Sequence, residues 1–469
     1  MPLCPERTAP DFFPDFTALA AYLEGLCLFR VTPGLERTRA VLRRLGLERA
    51  PYTAVQVVGT NGKGSTSAML ARLAEEHGLK TGLYTSPHFV SMRERVRVNR
   101  AVLSEAAWTD LGNRLLGAGA EDLSWFEFTT CLCVLSFAGA GVELAVMESG
   151  LGGTWDAVTA TPADLVVFTP IDLDHEAILG PDIAGIAADK AGAMRPGKPA
   201  LTGPQSGEAL REIKNAAQKR GCPLLFTGAS QTLPFVPGKK RPALSGRHQL
   251  DNANLALAAF HALRDRKIFP PPVLARLADK TSRSLEEEAL CAAFLPGRMQ
   301  RIKAAQAGET AGATDAAEGR FFPLGRPSLL LDGAHNAHGL AALGASLAAE
   351  GTAPAAVIFS CLRDKDLERM LPHLRALATG PIFVPPIRDN PRAADPEETA
   401  ARIGINARAV FSLPEALREA SSLILRRLPE AARGKAENNP LLICGSLYLL
   451  GEFYSLFPRF LEPPPRPGE

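Results

Sequence analysis

Residues 55–66 read Val-Gln-Val-Val-Gly-Thr-Asn-Gly-Lys-Gly-Ser-Thr, and this stretch decides the fold. The apolar, β-branched run Val55–Val58 is typical of a buried parallel strand. A glycine-rich turn, Gly59–Gly64, follows the strand, and Ser65 is predicted to cap a helix that continues through Leu73. A strand, a glycine turn and a helix N-terminus in this order make a cradle of backbone N–H groups, which indicates phosphate binding.

The lysine of this turn supplies a positive charge for phosphate oxygens, but the spacing is not that of the standard P-loop. That motif has a longer gap between its first glycine and Gly-Lys, and its Ser or Thr follows the lysine directly. Here Thr60 and Asn61 precede Gly62, and Gly64 follows Lys63. A turn that serves only the fold is the alternative, and the order of the parts favours phosphate binding.

Length and composition exclude several classes of protein. The chain has 469 residues, 46% of them hydrophobic and 22% charged, which predicts a globular protein of two or three domains. A net charge of +2 gives no support for binding nucleic acid or a membrane surface. The 8 cysteines are scattered, and we see neither a signal peptide nor a membrane-spanning apolar stretch. We therefore expect a cytoplasmic protein with reduced thiols.

After the glycine turn, predicted strands alternate with helices, as in mostly parallel sheets covered on both faces. The first series of strands is Val55–Val58, Gly82–Tyr84, Glu143–Met147 and Leu165–Phe168. The second is Leu329–Leu331, Val357–Phe359, Ile382–Val384 and Leu441–Ile443. We predict an α/β fold, with a P-loop ATPase-like domain over 1–295 and a smaller, Rossmann-like domain over 296–469. Residues 304–319 have few bulky apolar side chains and are predicted to be an exposed or disordered insert.

Polar residues fall at the carboxyl ends of the predicted strands, where open parallel sheets carry their functional groups. Ser86, Glu148 and His175 each lie at or after a strand end. Magnesium bound with a nucleotide prefers hydroxyl, carboxylate and phosphate oxygens, whereas a histidine alone favours zinc or manganese. A salt-bridged strand end is the alternative for Glu148, and a helix-capping or core residue is the alternative for His175.

Two residues of the second series are candidates for nucleotide contact. Asp332 follows the strand Leu329–Leu331, and an aspartate there holds a ribose, orients a phosphate or caps a helix. Arg298, in Pro296-Gly297-Arg298, lies at the predicted domain junction. Its guanidinium is suited to a γ-phosphate, and a solvated linker arginine is the alternative.

Together, these stretches resemble folylpolyglutamate synthase, including the bacterial bifunctional dihydrofolate synthase form, within the Mur-ligase-like amide ligases. Each motif is weak alone, and the ordered set is specific. In the family's order the matching motifs are Pro33–Arg37, Gly59–Thr66, Tyr84–His88, Arg93–Val96, Phe126–Thr130, Glu148–Asp156, Leu173–His175, Asp189–Gly192, Gly246–Gln249, Pro296–Arg298, Asp332–Asn336, Asp364–Asp366 and Gly445–Leu449.

The resemblance implies roles at the matching positions. ATP would contact Thr60, Asn61, Gly62, Lys63, Gly64, Ser65, Asn252, Arg298 and Asp332. Mg²⁺ would bind to Ser86, Glu148 and His175. The catalytic residues would be Lys63, Glu148, His175 and Lys190, with Lys190 carrying a carbamate. The pterin would contact Trp125, Phe126, Asp156 and Ala157.

The resemblance also implies the reaction. A folate or dihydropteroate carboxylate would attack the γ-phosphate of ATP, and the amine of L-glutamate would displace phosphate from the acyl phosphate. We expect a monomer whose partners are these small molecules. The chain departs from the family near the implied pterin pocket. Thr154-Trp155-Asp156-Ala157-Val158-Thr159 stands where Arg-Leu-Asp-Ala-Thr-Asn is usual, Ser149 replaces the usual valine, and Asp172 stands where glycine is common.

Two alternatives remain. Another amino-acid ligase of the Mur type, acting on a nucleotide sugar, would need a separate N-terminal domain, and only about 50 residues precede the phosphate loop. A regulatory or non-catalytic nucleotide-binding module would not need Ser86, Glu148, His175 and Lys190 together.

Overall fold

The strand that leads into the glycine turn, β1 (Thr53–Val58), is buried along its whole length. It lies between two parallel neighbours, β5 (Leu144–Glu148) and β6 (Leu165–Phe168). This computed structural model describes residues 10–26, 33–227, 244–278, 283–304, 318–404, 406–427 and 439–463. The chain divides into two compact units, 1–242 with 250–293, and 243–249 with 294–469.

The sheet of the first unit has eight strands within the described residues, in the order β4-β3-β2-β5-β1-β6-β7-β8. The remaining strands are β2 (Thr81–Tyr84), β3 (Val96–Val98), β4 (Ala101–Val102), β7 (Ala200–Thr202) and β8 (Leu224–Phe226). Only the β2–β3 and β3–β4 pairs among them are antiparallel. The ends of β2, β5, β1 and β6 therefore lie side by side on one edge of the sheet, where a functional site is expected.

Helices cover both faces of this sheet. They are α1 (Phe16–Gly25), α2 (Glu36–Arg44), α3 (Lys63–Glu76), α4 (Glu105–Gly117), α5 (Trp125–Gly139), α6 (Glu176–Leu179), α7 (Ile183–Ala191), α8 (Gly207–Arg220), α9 (Arg247–Asp265), α10 (Pro271–Ala278) and α11 (Arg283–Ala292). Short 3₁₀ helices lie at Met92–Arg95 and Ala157–Ala160. An aromatic core that includes Trp108, Phe128 and Phe137 packs between the sheet and α4–α5, and a second core around Phe168 and Ile186 packs under α7–α8. Burial of these large side chains is the main term that holds the sheet edge in place.

The second unit has a smaller sheet, with six strands among its described residues in the order β13-β12-β11-β14-β10-β9. These are β9 (Gln300–Ile302), β10 (Leu329–Leu331), β11 (Ala356–Phe359), β12 (Ile382–Val384), β13 (Ala407–Ala409) and β14 (Leu441–Cys444). The pairing is parallel except between β10 and β9. Its helices are α12 (Glu318–Phe321), α13 (Ala337–Ala349), α14 (Leu367–Leu377), α15 (Pro396–Ile403), α16 (Leu413–Arg427) and α17 (Leu447–Leu456).

The predicted α/β class, with a large, mostly parallel sheet and a second sheet, is confirmed. The prediction that Ser65 caps the helix is wrong, because α3 begins at Lys63 and Gly62 is its N-cap residue. A left-handed glycine with φ of +87° turns the chain into the helix three residues earlier than a cap at Ser65 requires. The predicted insert lies mostly at 305–317, outside the described residues.

Candidate active site

The turn after β1 is a glycine loop in close contact with its neighbours. A Cβ on Gly59 would lie 2.0 Å from Thr169 Oγ1, and a Cβ on Gly62 would lie 2.4 Å from Asn252 Oδ1. The N-cap residue of α3 is Gly62, which has no side chain to cap the first turn of the helix. The first N–H groups of a helix have no acceptor within the helix, so this helix end is suited to bind a phosphate group.

The loop is fastened to the segment that follows β6. The N–H groups of Thr60 and Asn61 donate to Pro170 O at 2.9 and 3.3 Å. The hydroxyl of Thr60 donates to the carbonyl oxygen of Asp172 at 2.9 Å and accepts from its N–H at 3.0 Å. The backbone N–H groups of Thr60 and Asn61 and the Thr60 side chain therefore fix the shape of the loop, whereas Gly62 and the first residues of α3 line its helix end.

Two lysines converge on one carbonyl oxygen at this loop. Lys63 Nζ donates to Gly59 O and Thr60 O at 3.1 Å each, and Lys190 Nζ donates to the same Gly59 O at 3.0 Å. Lys190 is only 4% exposed. Burial, and then the charge of Lys63, lower the pKa of Lys190 to about 7, although nearby carboxylates oppose the shift. A large fraction of Lys190 is therefore an uncharged amine near neutral pH.

Two of the three predicted metal ligands lie together. Glu148 is the last residue of β5 and is buried, and its Oε2 accepts the backbone N–H of Ser86 at 3.0 Å. Ser86 follows β2, the neighbour of β5 in the sheet. Within the described ranges, no group of three or more His, Cys, Asp or Glu side chains is arranged to hold a metal ion. A hydroxyl and a carboxylate fit Mg²⁺ when phosphate and water oxygens complete its shell.

His175 lies at the entrance of the short helix α6, in the left-handed conformation with φ of +55°. Its N–H donates to Asp174 Oδ1 at 2.9 Å, and its side chain makes no cap hydrogen bond to α6. The helix-capping alternative is therefore not what the structure shows. The bonds between Thr60 and Asp172 hold the 172–175 segment against the phosphate loop.

Asp156 lies in the turn after β5 and is buried. Its Oδ2 accepts the N–H of Leu151 at 2.9 Å, and its Oδ1 accepts the N–H of Val158 at 3.0 Å. Burial raises the pKa of Asp156 to about 6, although these N–H groups and Lys190 lower it. Ala157 begins the following 3₁₀ helix and is buried as well. The N–H of Gly150 bonds to the same carboxylate, so three of its roughly four acceptor sites are used within the turn and about one remains for a ligand.

The two aromatic residues predicted to contact a pterin have different environments. Trp125 is 2% exposed, and the Arg95 guanidinium lies over its ring, 4.2 Å from the centroid. Arg95 Nε donates to His88 Nδ1 at 2.9 Å, and burial lowers the pKa of His88 to about 3, so this imidazole is neutral. Phe126 is only partly buried and packs beside Tyr84, with 5.8 Å between the ring centroids. Phe126 is therefore the better placed aromatic for ligand contact.

The predicted nucleotide residues of the second unit form a local cluster of their own. Asp332 follows β10, and its two oxygens accept the N–H groups of Met299 and Ala334 at 2.8 Å each. Arg298 Nη1 donates to Gly297 O at 3.3 Å and lies so close to Gly333 that a Cβ there would be 2.2 Å away. The structure thus brings Arg298 and Asp332 together on two adjacent segments, 297–299 and 332–334. Asp332 does not cap α13, since Asn336 does.

Two residues that position the site were not predicted. Asp189 holds the glycine turn after β5, because its Oδ2 accepts the N–H of Gly153 at 2.9 Å and its carbonyl oxygen accepts the hydroxyl of Thr154 at 2.8 Å. Gln56 is buried in β1, and its Nε2 bonds to residues at both ends of the same turn. Gln56 could have been predicted, because a single amide side chain within a strand of buried valines must find hydrogen-bond partners in the core. Asp189 opens the matched motif Asp189–Gly192, but no local pattern indicated which groups it binds.

A glycine loop, a hydroxyl–carboxylate pair and a buried lysine on one sheet edge, in a chain with a second α/β unit, define the class of Mur-ligase-like amide ligases. In agreement, residues 319–434 match the family model described as "Mur ligase, glutamate ligase domain".

Full-length comparisons are more specific. A dihydrofolate synthase/folylpolyglutamate synthase of Escherichia coli (strain K12) is 30% identical over 461 residues, which cover 94% of this chain and 95% of that protein. The chain belongs to the folylpolyglutamate/dihydrofolate synthase family, whose members are ATP-dependent ligases, and the predicted family and enzyme class are confirmed.

Two solved structures support the same assignment. The structure of E. coli FolC in complex with DHPP and ADP is 28% identical, with a TM-score of 0.74, and the match covers 96% of this chain and 99% of that chain. The bifunctional synthase of Yersinia pestis complexed with AMPPNP and Mn ion is 27% identical, with a TM-score of 0.75, and the match covers 96% and 100%. No helix in the described part of the chain is long and apolar enough to span a bilayer.

Proposed function

We propose that the protein uses ATP to join L-glutamate to folates, and also to dihydropteroate, through an acyl phosphate. The observation that carries this proposal is the convergence of Lys63 and Lys190 on Gly59 O, on the sheet edge that also holds the Ser86–Glu148 pair. A binding module without chemistry needs the glycine loop, but it does not need a nearly neutral, buried lysine beside it.

The nucleotide phosphates bind to the loop from Thr60 to Ser65. The helix end supplies N–H groups and the positive end of a helix dipole, and Lys63 supplies a mobile charge. In the structure Lys63 is folded back onto its own loop, within reach of two carbonyl oxygens. Those two bonds are replaced by bonds to phosphate oxygens when a nucleotide is bound. Asn252, which packs on Gly62, fixes the loop from α9.

The divalent metal is held by Ser86, Glu148 and His175, with phosphate and water oxygens as its other ligands. The Y. pestis relative binds AMPPNP and Mn, which supports a metal–nucleotide site in this family. A metal bound there neutralises charge on the phosphoryl group that is transferred. Glu148 orients the Ser86 backbone through its Oε2, so the two ligands are arranged before a metal binds.

Lys190 carries a carbamate in the active enzyme. The uncharged amine is the form that attacks CO₂, and it forms an N–C bond while one proton is released to solvent. A pKa of about 7 makes this form abundant at neutral pH. The modification also converts the buried cation next to the partly buried Lys63 into an anion, which removes the repulsion between the two lysines and provides a partner for Lys63.

The ligation has two steps. An oxygen of the substrate carboxylate attacks the γ-phosphorus and ADP leaves. The amine of glutamate then attacks the acyl carbon, loses a proton, and expels phosphate as the amide bond forms. Lys63 stabilises the charge that develops on the phosphoryl oxygens, and its position in the loop needs no rearrangement of the backbone.

The acceptor is bound beside the turn after β5. Phe126 offers a partly exposed ring, and Asp156 offers a carboxylate lone pair to an N–H group of a pterin. Ala157 lines the same turn, and Trp125 supports it from the core. The E. coli relative is described in complex with DHPP, which supports an acceptor of this class. Arg298 and Asp332 are proposed to contact the nucleotide from their two adjacent segments.

The experiment is a ligase assay with dihydropteroate and tetrahydrofolate offered separately, each with ATP, Mg²⁺ and glutamate. We expect a glutamylated product from both acceptors, and ADP formation that depends on acceptor and glutamate together. If a product forms from tetrahydrofolate but not from dihydropteroate, the proposed activity on dihydropteroate is wrong. No product from either, with ADP formed on another carboxylate and amino acid, would point to a different ligase of the same class.

The oligomeric state and compartment are also proposals. We propose a monomer of the cytoplasm, supported by the buried, free cysteines Cys131, Cys133, Cys222, Cys361 and Cys444. Light scattering with and without nucleotide tests the first point.

A further inference from the structure

The turn that carries Asp156 is anchored from the sheet by one amide side chain. Gln56 Nε2 donates to Ser149 Oγ at 2.9 Å and to Thr159 Oγ1 at 2.7 Å. The hydroxyl of Thr159 donates onward to Gly153 O at 2.6 Å. All three side chains are nearly inaccessible to solvent, with Gln56 and Ser149 only 1% exposed. Both ends and the middle of the 149–159 turn are thus fixed by buried hydrogen bonds.

The turn is anchored a second time from α7. Asp189 accepts the N–H of Gly153 on its carboxylate at 2.9 Å, and its carbonyl oxygen accepts both the N–H of Thr154 at 3.0 Å and the Thr154 hydroxyl at 2.8 Å. A Cβ on Gly153 would lie 2.4 Å from Lys190 O, so the backbones are in direct contact. The chain immediately before Trp155 has little freedom to move.

Trp155 is nevertheless 52% exposed, whereas Trp108 and Trp125 are 0% and 2% exposed. A half-exposed indole is ordinary on a flexible loop. Here it follows the anchored Thr154 and precedes the buried Asp156, so its backbone position is fixed by the bonds on both sides. A rigid turn with one large exposed ring is a feature of binding sites, because ordering that ring on a ligand costs little entropy.

The neighbourhood indicates the ligand. Asp156 interacts electrostatically with Lys190, and Lys190 contacts the phosphate loop through Gly59 O. Trp155 thus lies between Thr154, which is tied to the α7 end that carries Lys190, and Asp156, the carboxylate proposed to bind a ring N–H. An acceptor whose ring edge binds to Asp156 therefore lies beside the residue that carries this exposed indole.

We propose that Trp155 is a substrate-contact residue that determines acceptor affinity, and that its indole packs on the flat aromatic part of the acceptor while Asp156 binds the polar ring edge. This inference rests on the proposed function. The hydroxyl anchors at Ser149, Thr154 and Thr159, together with Gln56, act as positioning residues for this ring.

The test compares Trp155→Leu and Trp155→Phe with the wild-type enzyme. We expect Trp155→Leu to raise the KM for the acceptor roughly threefold to tenfold, the range of one aromatic contact, with kcat and the KM for ATP within about twofold. Trp155→Phe retains a flat ring and should lose less. The matched control is Phe411→Leu in the second unit, which removes a ring that is 90% exposed and outside the site. This control should change none of the constants.

A binding measurement separates contact from folding. Because Trp155 is the exposed tryptophan, its emission should be quenched when dihydropteroate is added, after correction for absorption by the ligand, and Trp155→Phe should lose this quenching while its melting temperature stays at the wild-type value. If wild type ligates glutamate but Trp155→Leu leaves the acceptor KM unchanged, or the quenching persists in Trp155→Phe, this inference is overturned and the proposed function stands. If wild type glutamylates no folate, both are overturned.

Discussion

The phosphate loop (59–64) and the turn at 149–159, which is proposed to bind the acceptor and is called the acceptor turn below, lie on the same sheet edge and are built in opposite ways. The phosphate loop is shaped by backbone: two glycines at positive φ, carbonyl oxygens that hold Lys63 and Lys190, and the open end of α3. The acceptor turn is shaped by side chains, through Gln56 and Asp189. A backbone site admits almost no change of sequence, whereas a side-chain network can exchange its members together. This chain keeps the family pattern in the first region and departs from it in the second.

The largest expected effect is that of Lys63→Ala, which tests the phosphate loop. Lys63 supplies a charge that the loop itself cannot replace, so kcat should fall roughly 10²–10³-fold with the fold intact. The matched control is Lys198→Ala, because Lys198 is a half-exposed lysine paired with Asp164 at 2.9 Å, away from the loop. Steady-state kinetics at saturating ATP and circular dichroism measure the two properties. Near-normal turnover of Lys63→Ala would mean that the loop binds phosphate without that charge.

Lys190 connects the phosphate loop and the acceptor turn, since it contacts Gly59 O with its side chain and Gly153 with its backbone. Lys190→Ala should lower kcat about 10²-fold, as loss of a buried charge at the reacting centre does. The carbamate requires the neutral amine, whose fraction rises as the pH passes the pKa of about 7. At equal concentrations of dissolved CO₂, enzyme stripped of CO₂ should therefore regain activity faster at pH 8 than at pH 6.

Two results would contradict this account of Lys190. One is full activity in rigorously CO₂-free buffer, and the other is an unmodified mass for Lys190 in active enzyme trapped with nucleotide. Partial recovery of Lys190→Ala by added acetate would support it, because a free carboxylate can occupy the place of the carbamate.

In the acceptor turn, Asp156→Asn should raise the KM for dihydropteroate roughly tenfold, because the variant loses a charged acceptor for a ring N–H group. The matched control is Asp182→Asn. Asp182 accepts the N–H of Gly185 at 2.7 Å and so caps α7 much as Asp156 caps its 3₁₀ helix, but it is exposed. An unchanged KM for dihydropteroate in Asp156→Asn would leave Asp156 with only its role in the turn.

Much of this architecture was predictable because the signals are local. A run of valines, a glycine turn and a lysine specify the strand, the loop and the helix, and the predicted central strands of both sheets are present. The edge strands were missed. β9 reads Gln-Arg-Ile and β13 reads Ala-Arg-Ala, and such short, polar segments pair only because a neighbouring strand offers its hydrogen bonds.

The residues of the candidate site show the same difference between local sequence signals and distant contacts. Lys63 and Glu148 could be placed from sequence, because Lys63 lies in the glycine turn after β1 and Glu148 is at the end of β5. The environment of Trp125 could not be predicted, since helix α5 is mostly apolar. Only packing decides that Phe126 is partly exposed while Trp125 is buried under Arg95. Asp189 escaped because its partners lie about 35 residues away, on another element.

The smallest expected effect tests whether the phosphate loop and the acceptor turn are independent of each other. Gln56 belongs to β1, which leads into the phosphate loop, yet its amide holds the acceptor turn. Gln56→Leu should lower the free energy of unfolding by about 1–2 kcal/mol, the range of one or two buried hydrogen bonds. The loss is limited, because the substitution also removes Gln56 Oε1, which is buried without a partner among the described residues.

Ser149→Val completes the cycle. It should cost about 1 kcal/mol alone, and the double variant should cost less than the sum, because both substitutions remove the same 2.9 Å bond. Denaturant unfolding measures these free energies. Titrations with acceptor and with ATP measure the KM for each substrate, and so test the acceptor turn and the phosphate loop separately. We expect the KM for the acceptor to rise about twofold or threefold while the KM for ATP stays constant, since the loop glycines are held by Thr169 and Asn252 rather than by Gln56. An equal rise in the KM for the acceptor and the KM for ATP would show that β1 transmits the change. The phosphate loop would then depend on the hydrogen bonds of the acceptor turn.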